Sequence, residues 1–319
     1  MLDQEISKLG YGAWGLSGEL GAYDRGEARR SILAYLEGGG SFIDTARAYG
    51  ESERLIGETL REWTGAPPVV ATKVQGHGPN RRWGSPWPVE EVFPPGSIRA
   101  SAEESRRLLG VEALDLLQLH LYWPTWGASG YWLEELHALR EEGVVRRIGV
   151  SLPDFRHEVG LPAVLWEIVD SVQTIVNVFD PLALDCLVPM AAERGITVIA
   201  RGALDEGGLS GAIDADSTFR EGDIRNVYFA PENVAQYPQR LERLRRFVPE
   251  HASSLANLAL RFAAGQPGVT TVIVSMASEQ LVRENLATFA EPPLPPDVVD
   301  ELRTRDRWVR NFFTPAYWR

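Results

Sequence analysis

Short apolar runs and helical patterns alternate along this chain, and the alternation repeats eight times. The runs Leu9–Trp14, Ser41–Asp44, Val69–Lys73, Leu114–Leu119, Val145–Val150, Val172–Asn177, Ile196–Ala200 and Val269–Val274 read as strands. The helical patterns between and after them are Gly26–Glu37, Glu51–Trp63, Ser97–Leu109, Tyr131–Glu142, Val159–Ile168, Leu184–Arg194, Pro238–Phe247 with Ser253–Ala264, and Glu279–Thr288. Pro296–Arg310 reads as an extra terminal helix. Near-continuous apolar strands suit a parallel sheet covered on both faces. Eight strand–helix units in 319 residues suit an α/β protein of the (β/α)8 TIM-barrel type. No repeat, low-complexity tract or linker divides the chain. The expectation is therefore one barrel domain over 1–319, with a loop insertion at 76–96 and a C-terminal tail at 296–319.

Composition narrows the possible partners. A formal net charge of −12 opposes non-specific binding to nucleic acid or to an anionic membrane. No apolar stretch approaches the ~18 residues a membrane span needs. Met1–Lys8 carries Asp3 and Glu5 and lacks the apolar run of a signal peptide. The single cysteine, Cys186, excludes an intrachain disulfide and fits a reducing cytoplasm. Lying near Leu187 and Ala191 in a helical pattern, it reads as a buried, inert thiol. His77, His137, His157 and His251 are scattered without ligand spacing, so no metal site is expected. Nothing in the sequence sets an oligomeric state. One count is unusual: of 32 basic residues only Lys8 and Lys73 are lysine.

Active sites of barrels lie at the C-terminal ends of the strands. Asp44 closes the second expected strand, with Tyr49 in the loop beyond it. Lys73 closes the third, and His120 follows the fourth. These four side chains suit an acid–base device. A tyrosine hydroxyl has an ordinary pKa of ~10, and a nearby ammonium favours its phenolate. A carboxylate can hold and charge-balance the lysine, and a histidine can orient a substrate oxygen. Lysine in an arginine-rich chain marks a place where a guanidinium, larger and permanently charged, does not serve.

The chain resembles the aldo-keto reductase superfamily over most of its length. The motifs are Phe42-Ile43-Asp44-Thr45-Ala46-Arg47-Ala48-Tyr49-Gly50, Glu53-Arg54-Leu55-Ile56-Gly57, Ala71-Thr72-Lys73, Asp115-Leu116-Leu117-Gln118-Leu119-His120 and Arg147-Ile148-Gly149-Val150-Ser151, with Gln173 and Asn177. A bacterial subgroup is similar further on, through Val198-Ile199-Ala200-Arg201, Asp205-Glu206-Gly207-Gly208-Leu209-Ser210-Gly211 and Asp223-Ile224-Arg225-Asn226-Val227-Tyr228-Phe229. The resemblance implies an oxidoreductase that reduces an aldehyde or ketone with hydride from a nicotinamide cofactor. Tyr49 would protonate the carbonyl oxygen, Lys73 and Asp44 would assist it, and His120 would orient the substrate. Gly12, Ala13 and Trp14 would border the cofactor at the first strand's exit. Asp44 would also contact the cofactor, Ser151 and Gln173 would adjoin its carboxamide, and Leu204 and Gly207 its pyrophosphate. Ser275 and Met276 follow the last strand, and Glu284 and Asn285 match adenine contacts.

Several positions depart from that pattern. Leu152 stands where an Asn is usual. Arg201 stands where many members stack a Tyr on the nicotinamide; a guanidinium can also stack on an aromatic plane. A cation there would repel the oxidised ring and favour the reduced one. The resemblance implies NADPH, with NADH the alternative, because no basic residue lies between Ile273 and Gln280 to hold a 2′-phosphate. Trp83 and Trp87 in the insertion, and Tyr122, Trp123 and Trp126 after the fourth strand, are expected over the barrel mouth. With Trp14 they would suit a cyclic or sugar-like carbonyl. The aromatic tail Asn311–Arg319 is a candidate cover. Two alternatives stay open: a non-catalytic binding or regulatory protein on the same scaffold, and an epimerase or dehydratase with transient or no use of the cofactor.

Overall fold

In a computed structural model the described residues are 6–77, 87–214, 216–229 and 234–308. Eight parallel strands close into a barrel in sequence order. They are β1 (Leu9–Gly12), β2 (Phe42–Asp44), β3 (Val69–Gln75), β4 (Leu116–His120), β5 (Ile148–Ser151), β6 (Ser171–Ile175), β7 (Thr197–Arg201) and β8 (Thr271–Ser275). β8 pairs back onto β1, Gly12 beside Ser275. All eight expected strands are present, and helices surround them. Asp24 caps the first helix, Arg25–Glu37, by accepting from the Glu27 amide. Gly110, at φ 72°, ends the helix Ser97–Leu109. Among the described residues no helix is long and apolar enough to cross a membrane.

Strand parity builds the barrel interior. Side chains alternate across a strand, so residues two apart share a face. The inward set runs Phe42–Asp44, Ala71–Lys73, Leu116–Gln118–His120, Gly149–Ser151, Ser171–Gln173 and Ile199–Arg201. The lower layer is apolar: Phe42, Val69, Ala71, Leu116 and Ile199 form one buried cluster with Ile273 against it. Gly149 leaves room for it, since a Cβ there would collide with Ser171 and press on Gln118. The upper layer is polar, which sets the chemistry at one end of a packed core.

Element edges differ from expectation where pairing extends or turns intervene. β3 runs on to Gln75 because Val74 and Gln75 pair with Leu119 and His120. Lys73 therefore lies inside its strand and not at its end. β1 stops at Gly12, and Ala13–Leu16 forms a 3-10 turn. Gly10, Gly12 and Gly15 stand at the G-x-G-x-x-G spacing that opens a phosphate-binding helix in open sheets. Here two of them lie in β1, a Cβ on Gly15 would collide with Ser275, and the first α-helix begins only at Arg25. The helix expected from Leu184 begins at Leu187, after a 3-10 turn at Leu182–Asp185. Cys186 sits at that break and is exposed, contrary to the buried reading. The terminal helix is Pro296–Arg305. Trp308 beyond it is buried edge-on against Phe179 and Tyr237. Trp83 and the tail from 309 onward lie outside the described residues.

Candidate active site

The acid quartet assembles around one buried ion pair. The Lys73 ammonium lies 2.5 Å from Asp44 Oδ2, and both side chains are buried. Lys73 also donates to the Thr45 carbonyl at 2.9 Å. Asp44 Oδ1 accepts from the Gln173 amide at 2.7 Å and from the Gln118 amide at 3.4 Å. A charge this deep persists only when paired and hydrogen-bonded, and Asp44 and Lys73 meet both conditions. Above them the Tyr49 ring centroid lies 5.0 Å from Lys73 Nζ. The His120 ring meets Tyr49 edge to face, centroids 5.9 Å apart at 88°.

The segment after β2 is folded to deliver Tyr49. Thr45 donates its amide to Ala71, and its hydroxyl bonds Ser52 at 2.5 Å. The Tyr49 amide returns to Ala46, and Ser52 donates back to Tyr49. Gly50 then takes φ 56°, a left-handed turn that glycine adopts without strain. Glu53 is buried and structural. It accepts from Arg47 at 2.5 Å and from the Thr72 hydroxyl at 2.6 Å, tying the tyrosine loop to β3.

A cavity of about 430 Å³ opens over this layer. Gly12, Trp14, Asp44, Tyr49, His120, Ser151, Gln173, Arg201, Leu204, Gly207 and Ser275 all line it. The inward parity of the strand ends explains most of that set. Lys73 does not reach the cavity; it lies beneath, under Asp44. Ala13 and Met276 are fully buried and form no part of the wall. Asn285 is buried and Glu284 exposed on the helix Glu279–Ala290, both off the cavity; Leu281 of that helix lines it instead. Trp87 accepts a bond from Trp126 on its carbonyl, and Trp123 is buried beneath Arg156. Neither lines the cavity. Phe93, Trp126, Tyr122 and Trp132 pack ring to ring in one cluster. The aromatics after β4 thus secure the loops to one another, and of the tryptophans expected at the mouth Trp14 is the one that lines the cavity among the described residues.

Other wall residues carry charge that the sequence reading left without roles. Asp154, Glu206 and Arg225 border the cavity, with Leu20 and Leu121 as apolar neighbours. Asp154 pairs with Arg201 at 2.6 Å, so the guanidinium at the end of β7 is not a bare cation. The loop after β7 is unusually turned: Gly202, Asp205, Glu206, Gly207 and Gly211 all have positive φ. It is pinned from behind by buried Asp205, which accepts from the hydroxyls of Tyr228 and Tyr237. Further on, Arg220 donates to the Gly18 carbonyl at 2.6 Å and Arg225 to the Leu20 carbonyl at 3.2 Å. These two bonds strap the segment to the loop after β1. Asp223 grips Arg225 with both oxygens, at 3.0 and 2.7 Å, and those bonds hold its carboxyl below the ordinary range. At the far end Ser278 caps the helix Glu279–Ala290, and a Glu27 oxygen accepts the Glu279 amide. Asp205 through Gly208 and Asp223 through Arg225 were visible as motifs. Asp154 had no signal at all.

Comparison with known proteins converges on one family. Residues 8–306 match the model of the aldo/keto reductase family. An NADH-specific methylglyoxal reductase of Escherichia coli is 26% identical, over 90% of this chain and 91% of that protein. An aldo-keto reductase of Bacillus subtilis is 28% identical, over 83% of this chain and 79% of that protein. The solved structure of a glycerol dehydrogenase from Gluconobacter oxydans superposes with a TM-score of 0.77 at 25% identity, covering 98% of this chain and 96% of that one.

Proposed function

The chain belongs to the aldo/keto reductase family, and from that membership we propose that Tyr49 is the proton donor of a nicotinamide-dependent carbonyl reductase, supported by Lys73, Asp44 and His120. The observation that carries this reading is the buried Asp44–Lys73 pair placed under the Tyr49 ring, at the floor of the cavity. The cavity suits an extended dinucleotide. It runs from Tyr49 past Ser151, Gln173 and Arg201 to Ser275 and Leu281, and the positive-φ loop from Gly202 to Gly211 borders it.

When bound, a reduced nicotinamide supplies the hydride to the carbonyl carbon. His120 holds the carbonyl oxygen through a ring N–H and points it at Tyr49. Tyr49 gives its hydroxyl proton to that oxygen, so carbon and oxygen gain hydride and proton and an alcohol results. The phenolate left behind is stabilised by Lys73. Asp44 keeps the ammonium in place, and Tyr49 recovers its proton from water. Ser151 and Gln173, side by side on β5 and β6, would hold a carboxamide. The substrate class is an aldehyde or ketone, bound in the part of the cavity beside Tyr49 and His120.

The test is Tyr49→Phe, assayed with NADH and with NADPH against simple aldehydes, 2-oxoaldehydes and keto-sugars. Loss of a general acid removes about 10²–10⁴ of rate. The variant should still bind nucleotide, seen as a change in protein fluorescence, while reduction collapses. Undiminished turnover in Tyr49→Phe would exclude the mechanism.

A further inference from the structure

Asp154 takes no part in the acid quartet, yet it reaches the same cavity. It lies in the loop just past β5, with 9% of its side chain exposed against 17% for Arg201. Its Oδ1 accepts from Arg201 Nη2 at 2.6 Å, and the same nitrogen donates to the Leu152 carbonyl at 2.8 Å. Two acceptors on one nitrogen fix the guanidinium against the end of β7. It cannot swing away without leaving Asp154 as an uncompensated carboxylate.

The reacting ring must lie near this pair. A hydride donor has to approach within about 3–3.5 Å of the carbonyl carbon, and that carbon is bonded to the oxygen Tyr49 protonates. The ring is thus confined to the part of the cavity beside Tyr49 and His120. Ser151 and Gln173 wall that part, with Arg201 on the strand that follows. The titratable groups facing Arg201 are Asp154 from the β5 loop, Glu206 beyond β7 and Tyr49 from the β2 loop. Burial opposes the charge, but these neighbours raise the guanidinium pKa above its ordinary value. Arg201 therefore stays cationic at any working pH, and Asp154 is the carboxylate bonded to it, with Glu206 a further acidic neighbour.

Resting on the reading above, we propose that Asp154 sets the relative affinity of this site for oxidised and reduced nicotinamide by neutralising Arg201. The oxidised ring carries a positive charge and the reduced ring carries none. With Asp154 in place the charge of Arg201 is offset, and the pair tolerates both forms. Without it, the cation of Arg201 repels only the oxidised form. Without Arg201, the carboxylate of Asp154 attracts only the oxidised form. The two residues thus act in opposite directions on one ratio, which a loss of packing cannot imitate.

The experiment titrates the full chain with NAD⁺ and NADH, and with NADP⁺ and NADPH, following protein and nucleotide fluorescence. In Asp154→Asn the ratio Kd(oxidised)/Kd(reduced) should rise about tenfold, the size of one unit charge acting across a partly buried contact. In Arg201→Gln the ratio should fall below that of the unmodified chain, and the double variant should restore it. A ratio that stays within about twofold in both single variants, or that moves the same way in both, would overturn the assignment. If Asp154→Asn does not fold, the step from Arg201→Gln to the double variant decides: the ratio should rise when the Asp154 carboxylate is removed, and an unmoved ratio overturns the assignment. Absence of binding by all four nucleotides to the unmodified chain refutes the cofactor reading itself, a different result from an unmoved ratio.

Discussion

Replacing Lys73 with Met removes one charge from the centre of the site and nearly preserves the stem. Lys73 is completely buried, bonded to Asp44 at 2.5 Å and to the Thr45 carbonyl at 2.9 Å. In the variant Asp44 keeps its bonds from Gln173 and Gln118 but loses the one cation paired with it among the described residues. Breaking a buried pair from one side costs about 3–5 kcal/mol, because the surviving charge is left in a poor solvent. An unfolding entropy of about 2.1 cal/mol/K per residue, over 319 residues, makes this a fall of about 4–8 °C in melting temperature. Thermal unfolding followed by circular dichroism at neutral pH measures it. The double variant Asp44→Asn, Lys73→Met removes both charges while the residue at 44 still accepts from Gln173. It should melt above the single Lys73→Met variant although it differs from the natural chain at one more position. A Lys73→Met protein melting within about 2 °C of the unmodified chain, or a double variant melting below the single, would refute the view that this pair is held by mutual compensation. Carbonyl reduction should be lost in both variants, since neither can stabilise the Tyr49 phenolate.

The strap and its anchor give two more tests. Arg220→Ala with Arg225→Ala removes the bonds to Gly18 and Leu20; nucleotide release, followed by stopped-flow fluorescence, should quicken several-fold, and an unchanged rate would count against a strap. Asp223 titrates below the ordinary carboxyl range, so its grip on Arg225 is complete above about pH 4 and fades as pH falls through its lowered pKa; release in the unmodified chain should be flat from about pH 5 to 8 and rise only below about 4. Asp205→Ala removes an acceptor from two buried tyrosine hydroxyls, at a cost of about 1–3 kcal/mol each. It should weaken nucleotide binding in equilibrium titration without changing which carbonyls are reduced.

Much of this site was legible because barrel strands present their last inward residues to one face. Asp44, His120, Ser151, Gln173 and Arg201 stand at or near strand ends, and a period of two carries each to the cavity. Where periodicity stops, so does legibility. The depth of Lys73 depends on two extra pairs between β3 and β4, and nothing in Val74-Gln75 separates strand from loop. Cys186 followed from a helical pattern that the 3-10 turn at Leu182–Asp185 interrupts; its φ of −144° turns it off the helix. The tryptophans were assigned to the mouth because aromatics suit pockets. Aromatics also suit one another, and Trp126 found Phe93 and Tyr122. Asp154 meets Arg201 only because β5 and β7 converge on the same cavity, a relation set by closure of the sheet.

The two lysines show what composition can and cannot mark. Lys8 lies just before β1, where its ammonium donates to the Val269 carbonyl at 2.5 Å and burial lowers its pKa. Lys73 donates likewise to the Thr45 carbonyl. Both ammonium groups reach a backbone oxygen, but of the two Lys73 does so from a fully buried slot while Lys8 as a whole is exposed. A planar guanidinium presents five N–H groups that such a slot cannot satisfy. The scarcity of lysine in an arginine-rich chain therefore coincides with confinement at Lys73, and at exposed Lys8 the choice of lysine has no structural explanation. Chemistry enters at only one of them: Lys73 has a carboxylate on one side and a phenol ring on the other, while Lys8 forms no ion pair among the described residues. The residue type alone does not separate the two sites; burial and neighbours do, and they single out Lys73 as the cation beneath Tyr49.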